Sequence, residues 1–240
     1  MNRQIVICRY NEDISWTEDL ENVVIYNKGD YIDTKHKVIN LPNLGMFHAS
    51  QLYHIIKNYD NLADITLFLQ GWPFDGDFEI YNSWTNNKSD IKNMINYYSD
   101  IKPGRIVSEA TYVQKISNEY SCPPNYNRRH HREFVRYSSI WDEWIKIIDP
   151  FDKMNWKKKT VFYRNGHIGL SKEAILSNPI EFYIFLIDFW KYSNPSTEWF
   201  GESTHHIMFN AGFNEEYIDY GHNTLDFSNL KDYNEWIYEK

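Results

Sequence analysis

Between Asp64 and Asp77 an apolar run of strand length stops abruptly. Ile65-Thr66-Leu67-Phe68-Leu69 gives way to Gln70-Gly71-Trp72-Pro73-Phe74-Asp75-Gly76-Asp77. The run has no polar face, so it predicts a central strand covered on both sides. Gly71 and Pro73 forbid its continuation. Gln70, Trp72, Asp75 and Asp77 are thereby delivered to the end of a buried strand, and in open α/β sheets that edge is where ligands bind. A plain strand followed by a tight turn accounts for the same letters without a ligand.

The surrounding pattern supplies partners for that strand. Gln4 to Cys8 and Val23 to Tyr26 are short apolar runs, the first followed by the polar loop Arg9-Tyr10-Asn11-Glu12-Asp13 and the second by the turn Asn27-Lys28-Gly29. Ile14 to Leu20 opens as a helix would, and Val38 to Leu41 is a third, shorter strand candidate. From Phe47 to Tyr59 the period is helical, with Leu52, Ile55, Ile56 and Tyr59 on one face. Strand, loop, helix and strand in alternation predict a mostly parallel sheet. Further on, Ile91 to Tyr98 and Phe134 to Ile148 read as helices, and Arg105 to Val107 and Val161 to Tyr163 as strands. Ser171 caps a short helix over Lys172 to Leu176. A second helix over residues 179–192 is apolar nearly all round and is expected to be largely buried, and a third, short one spans Ser203 to Asn210. No repeat or low-complexity linker divides the 240 residues, so a single domain is the economical reading.

Composition narrows the function classes. A net charge of −8 argues against non-specific binding to nucleic acid. The basic knot Arg128-Arg129-His130-His131-Arg132 offers a phosphate site, although a solvated surface loop is the better reading. Cys8 and Cys122 form neither a disulfide framework nor a zinc site, which fits a reducing cytoplasm. The chain starts directly in a strand, without a signal-peptide pattern, and no apolar run reaches membrane-spanning length. Aromatic residues make up 18% of the chain, supplying core area and also surfaces that stack on sugars and bases.

Several segments together resemble the family known as domain of unknown function 3431. They are Arg9 to Asp13 with Trp16, Tyr26 to Gly29, Leu41 to Gly45, His54-Ile55, Phe68 to Gly71 with Pro73-Phe74, and Glu202 to Phe209. Met46 and Phe47 depart from the charged pair expected after Gly45. The family's order of elements in turn looks like the GT-A fold of nucleotide-sugar glycosyltransferases, an α/β architecture with a mostly parallel sheet flanked by helices. That resemblance implies a nucleotide-binding half over residues 1–110 and an acceptor half over 111–240. It places Tyr10-Asn11-Glu12 at the nucleobase. Leu69-Gln70-Gly71 stands where the metal-holding Asp-x-Asp is usual, and Asp75-Gly76-Asp77 has those letters several residues late. Val161 to Glu173, with Gly166, Gly169, Ser171 and Lys172, looks like the family's later strand, loop and helix start. Glu202 occupies the place of the general base of inverting members.

The implied chemistry is transfer of a sugar from a nucleotide-sugar donor to a glycan or polysaccharide acceptor. Glu202 takes the acceptor proton, and amides of a helix start favour its charged form. The diphosphate leaving group is offset by Mn²⁺ or Mg²⁺ on Asp75 and Asp77, or without a metal by Arg9, Lys28 and Arg164. Gln70, Gly71 and Trp72 complete the donor site, with Trp199 and Phe200 as further platforms. His48 and His54 are offset by six residues, and His205 and His206 are adjacent on a helix. Neither spacing makes a ligand pair. Two other readings remain open: a metal-dependent hydrolase using Asp75, Asp77 and a histidine, and a non-catalytic carbohydrate-binding or assembly protein.

Overall fold

A computed structural model describes residues 1–74, 84–107, 110–114, 160–163, 167–190, 205–209 and 212–213. Nine strands are assigned among them: β1 (Arg3–Arg9), β2 (Val23–Asn27), β3 (Lys37–Asn40), β4 (Ile65–Gln70), β5 (Arg105–Val107), β6 (Ala110–Gln114), β7 (Thr160–Tyr163), β8 (Ile168–Ser171) and β9 (Gly212–Phe213). The helices are α1 (Met46–Asn58), α2 (Lys88–Ser99), α3 (Lys172–Leu176), α4 (Ile180–Trp190) and α5 (His205–Met208).

Seven strands share one sheet in the order β3-β2-β1-β4-β8-β5-β9, and β6 and β7 form a separate antiparallel pair. β3, β2, β1 and β4 run parallel. β8 is antiparallel to both β4 and β5, and β9 is parallel to β5. The sheet is therefore mixed, which corrects the expectation of a mostly parallel one. The Ile168-Gly169-Leu170 run fits either direction equally well. Close packing of Gly169 accompanies its position, since a Cβ there would lie 2.1 Å from the Tyr98 carbonyl oxygen at the end of α2.

Period-2 alternation divides the strands between two layers. Ile5, Ile7, Val23, Ile25, Ile65, Leu67 and Leu69 pack with Trp16, Phe74 and the α2 residues Ile91, Met94, Ile95 and Tyr98. Val6, Cys8, Val24, Tyr26 and Phe68 pack with Phe47, Leu52 and Ile55 of α1, Tyr183 and Leu186 of α4, and Met208 and Phe209. β4 is buried on both faces, as a run without a polar face requires.

The helix ends follow local chemistry. The Asn87 side chain accepts from the Asp90 amide at 2.9 Å and starts α2. Ser171 Oγ accepts from the Ala174 amide at 3.2 Å and from the Gly104 amide at 2.9 Å, so one cap starts α3 and ties it to the turn before β5. Two expectations need correction. After Ile14 the chain makes only a 3₁₀ turn, Ser15–Thr17. α4 is not buried all round, because Ile184 and Phe185 are exposed. The helix expected over Phe134 to Ile148 and the basic run Arg128–Arg132 lie outside the described residues.

Candidate functional site

The chain builds β1, β2 and β3 outward in one direction and then places β4 on the other side of β1. The order thus reverses between β1 and β4, and the carboxyl ends of those strands flank a topological switch point. β1 ends at Arg9 and β4 at Gln70, with Cys8 in register with Gln70.

The loops at this edge are bonded into one rim. The Gly71 amide donates to the Cys8 carbonyl at 3.0 Å, and Trp16 Nε1 donates to the Gly71 carbonyl at 2.7 Å. A Cβ on Gly71 would stand 2.9 Å from the Glu12 Cβ, so only glycine lets the end of β4 press on that side chain. Glu12 Oε2 accepts from the Tyr10 amide at 2.6 Å. On the other flank, a Cβ on Gly29 would fall 1.7 Å from the Tyr10 carbonyl oxygen. Asn11 Oδ1 accepts from the Asp30 amide at 2.8 Å. Tyr10, Asn11, Glu12, Lys28, Gln70 and Gly71 are therefore neighbours along one edge, and the Tyr10 ring is exposed. Trp72 is half-buried and meets Phe74 edge-on with ring centroids 5.2 Å apart. Phe74 meets Trp16 in the same way at 5.2 Å.

Two of the three cations expected at the phosphates, Arg9 and Lys28, are engaged within the rim. Arg9 is buried. Its Nε donates to the Glu12 carbonyl at 2.9 Å, and its Nη1 donates to the carbonyls of Tyr10 and Asp30 and to Asn27 Oδ1. Lys28 Nζ donates to the carbonyls of Leu44 and Met46, closing the turn that starts α1. That turn has Gly45 at φ 61° and Met46 at φ 41°, left-handed positions that cost a methionine energy.

Asn27 and Trp16 are bonded into this rim, although the sequence singled them out only as part of the family pattern and assigned neither a role at the site. Asn27 reads as a turn residue, but its buried amide also donates to Gly29 O, Asp30 O and Asn40 Oδ1. The Trp16 indole is bonded to a partner 55 residues away.

Beneath the rim, the first turns of α1 bury polar side chains. His48 and His205 are both fully buried, with their Nε2 atoms 3.0 Å apart. His54 accepts the Tyr26 hydroxyl on Nδ1 at 3.0 Å, in the tautomer that lets the tyrosine donate. Burial pushes the His54 pKa down to about 4, with the Lys37 charge adding to the effect, and pushes the Tyr26 pKa up. Among the described residues, Ser50 Oγ, both Gln51 amide atoms, His54 Nε2 and Thr66 Oγ1 have no hydrogen-bond partner. The local spacings of His48 and of His205 gave no sign of their pairing, because it joins residues 157 apart.

Asp75, Asp77, Arg164, Gly166, Trp199, Phe200 and Glu202 lie outside the described residues. Among the described residues no group of three His, Cys, Asp or Glu side chains could hold a metal ion, and no helix is long and apolar enough to cross a membrane.

The family model described as "Protein of unknown function (DUF3431)" matches residues 5–220. No curated protein and no solved structure matches the chain.

Proposed function

The chain belongs to that family, and on this footing we propose that it is a GT-A-like glycosyltransferase. It moves a sugar from a nucleoside-diphosphate donor to a glycan hydroxyl. The observation that carries this reading is the meeting of Tyr10-Asn11-Glu12 with Gln70-Gly71 at the β1–β4 switch point. Such a crevice takes nucleotides in open α/β sheets. The exposed Tyr10 ring offers a stacking surface for a base, and the neighbouring carboxamide and carboxylate offer hydrogen bonds.

The assignment of halves follows from the same reading. The donor lies over the parallel block β3-β2-β1-β4, and the acceptor side is formed from the segments within 111–240. Glu202 is the base. It removes the acceptor proton as the hydroxyl attacks the anomeric carbon, and the nucleoside diphosphate leaves with the bonding pair, inverting that carbon. His205, three positions after Glu202 in the sequence, contacts His48 in the first turn of α1. Arg9 and Lys28 hold loop carbonyls, so in this reading Asp75 and Asp77 would hold Mn²⁺ or Mg²⁺ to offset the charge of the leaving group, or Arg164 would do so without a metal. A cytoplasmic setting, where nucleotide sugars are supplied, belongs to the same proposal.

A thermal-denaturation screen with UDP, GDP and their sugars, with and without Mn²⁺, tests it. A ligand at a hundredfold excess over its Kd stabilises the folded state by about 2.7 kcal/mol. Glu202→Gln is expected to abolish transfer and keep that stabilisation. Loss of activity on Asp75→Asn with a response to metal but to no nucleotide would instead indicate a hydrolase.

A further inference from the structure

α1 starts at the carboxyl edge of the sheet. The Leu41 amide donates to the Asn27 carbonyl at 2.8 Å where β2 ends, and Pro42 to Gly45 carry the chain from there into the helix. The ladder of α1 opens with the Ala49 amide on the Gly45 carbonyl at 2.9 Å. The amides of Met46 and Phe47 come before that bond and have no intrahelical acceptor. Gly45 supplies no side-chain cap, and no acidic side chain stands in the first turn. The positive end of a 13-residue helix is thus left without an oxygen from its own turn. Lys28 adds a charge there, since its Nζ donates to the carbonyls of Leu44 and Met46.

Water can satisfy the amides of an exposed helix start. The side chains behind this one are out of its reach. Ser50 and Gln51 are fully buried, and Ser50 Oγ and both Gln51 amide atoms have no hydrogen-bond partner among the described residues. Side chains on a helix lean toward its amino end and cover the turn before their own. Ser50 stands four residues after Met46 and Gln51 four after Phe47, so both lean over the first turn. Polar atoms held there without partners cost stability, which a ligand at the helix start would offset. Leu44 and Met46 are exposed, so the turn itself is open to solvent.

The donors gathered at this point are backbone amides, a hydroxyl, a carboxamide and an ammonium. They match the oxygens of a phosphoryl group, whose negative charge a helix start favours. A neutral sugar would use neither the dipole nor the ammonium. We propose, resting on the transferase reading above, that the amino end of α1 is a subsite for the diphosphate of the donor. The amides of Met46 and Phe47, Ser50 Oγ and Gln51 Nε2 donate to phosphoryl oxygens, and Lys28 supplies charge beside them. The Lys28 amide donates to the Arg9 carbonyl at 2.9 Å, so one residue joins this subsite to the Tyr10 rim.

Backbone NMR titrations of the full chain test this. Inorganic diphosphate in EDTA, where no divalent metal contributes, is expected to shift Met46 and Phe47 saturably. UDP or GDP with Mg²⁺ is expected to shift the same amides together with Tyr10–Glu12. Met46→Asp puts a carboxylate in the first turn, at an exposed position whose left-handed φ of 41° aspartate accepts. It should raise the Kd for inorganic diphosphate about tenfold or more. Gln51→Met removes a buried donor to a charged group and should raise that Kd about fivefold. Should the buried variant fail to fold, Met46→Asp carries the test. Non-saturating or absent shifts at Met46 and Phe47 with inorganic diphosphate overturn the proposal, as does an unchanged Kd in either folded variant. A nucleotide that moves Tyr10–Glu12 and leaves Met46 and Phe47 unmoved overturns it too. Saturable diphosphate binding at α1 with the rim unmoved by both nucleotides supports the phosphoryl subsite and counts against the parent reading alone.

Discussion

The two faces of the sheet are built from alternate residues of the same strands, yet they differ in kind. The face under α2 is lined by Ile5, Ile7, Val23, Ile25, Leu67 and Leu69, with Trp16 and Phe74 closing one end. The face under α1 carries His48, Ser50, Gln51, His54 and Thr66 among its apolar side chains, all buried. A buried polar atom without a partner costs roughly 1–3 kcal/mol. Both faces hold an apolar core, and the α1 face in addition gives up stability to polar groups buried among it.

The largest effect should come from the α2 face. Leu69→Ala empties a fully buried position beside the end of β4, and a loss of about 2–5 kcal/mol is expected in denaturant unfolding. A loss below about 1 kcal/mol would break the comparison.

Acid should act through the other face. The His54 pKa lies at about 4 in the folded protein and near 6.5 in the unfolded chain. Between those values the unfolded state binds more protons. Stability from this group is therefore complete above pH ~6.5 and declines as pH falls towards ~4, by up to about 3 kcal/mol. His54→Gln should flatten that part of the stability profile relative to wild type. An unchanged slope would show that His54 is solvated.

The smallest effect has the opposite sign. Gln51→Met keeps the bulk of the side chain and removes two amide atoms that lack partners among the described residues. Stability should stay level or rise by about 1 kcal/mol. A clear loss in urea unfolding would mean that the amide is satisfied, and the contrast between the faces would shrink.

How much of this was legible in the sequence depended on distance along the chain. The apolar runs of β1, β2 and β4 and the spacing of Leu52, Ile55 and Ile56 identify their elements, because burial on one or both faces is written locally. The stop at Gln70-Gly71 identifies the strand edge for the same reason. The direction of β8 is not in its letters, since Ile168-Gly169-Leu170 fits either orientation and its neighbours decide. Exposure of Ile184 and Phe185 on α4 is likewise invisible in a helix that is apolar all round. At the site, the meeting of Tyr10 with Gly71 follows from strand order. The engagement of Arg9 and Lys28 by loop carbonyls needed the folded turns around Asn27 and Gly45. The pairing of His48 with His205 needed the tertiary structure outright.

The central claim is that the β1–β4 edge binds a nucleoside diphosphate. Backbone NMR titration with UDP and GDP, each with Mn²⁺, tests it most directly. Saturable shifts centred on Tyr10–Glu12, Lys28–Asp30 and Gln70–Trp72 are expected. No saturable binding by either nucleotide, or shifts centred on the exposed α4 residues Ile184 and Phe185 with that rim unmoved, would contradict it.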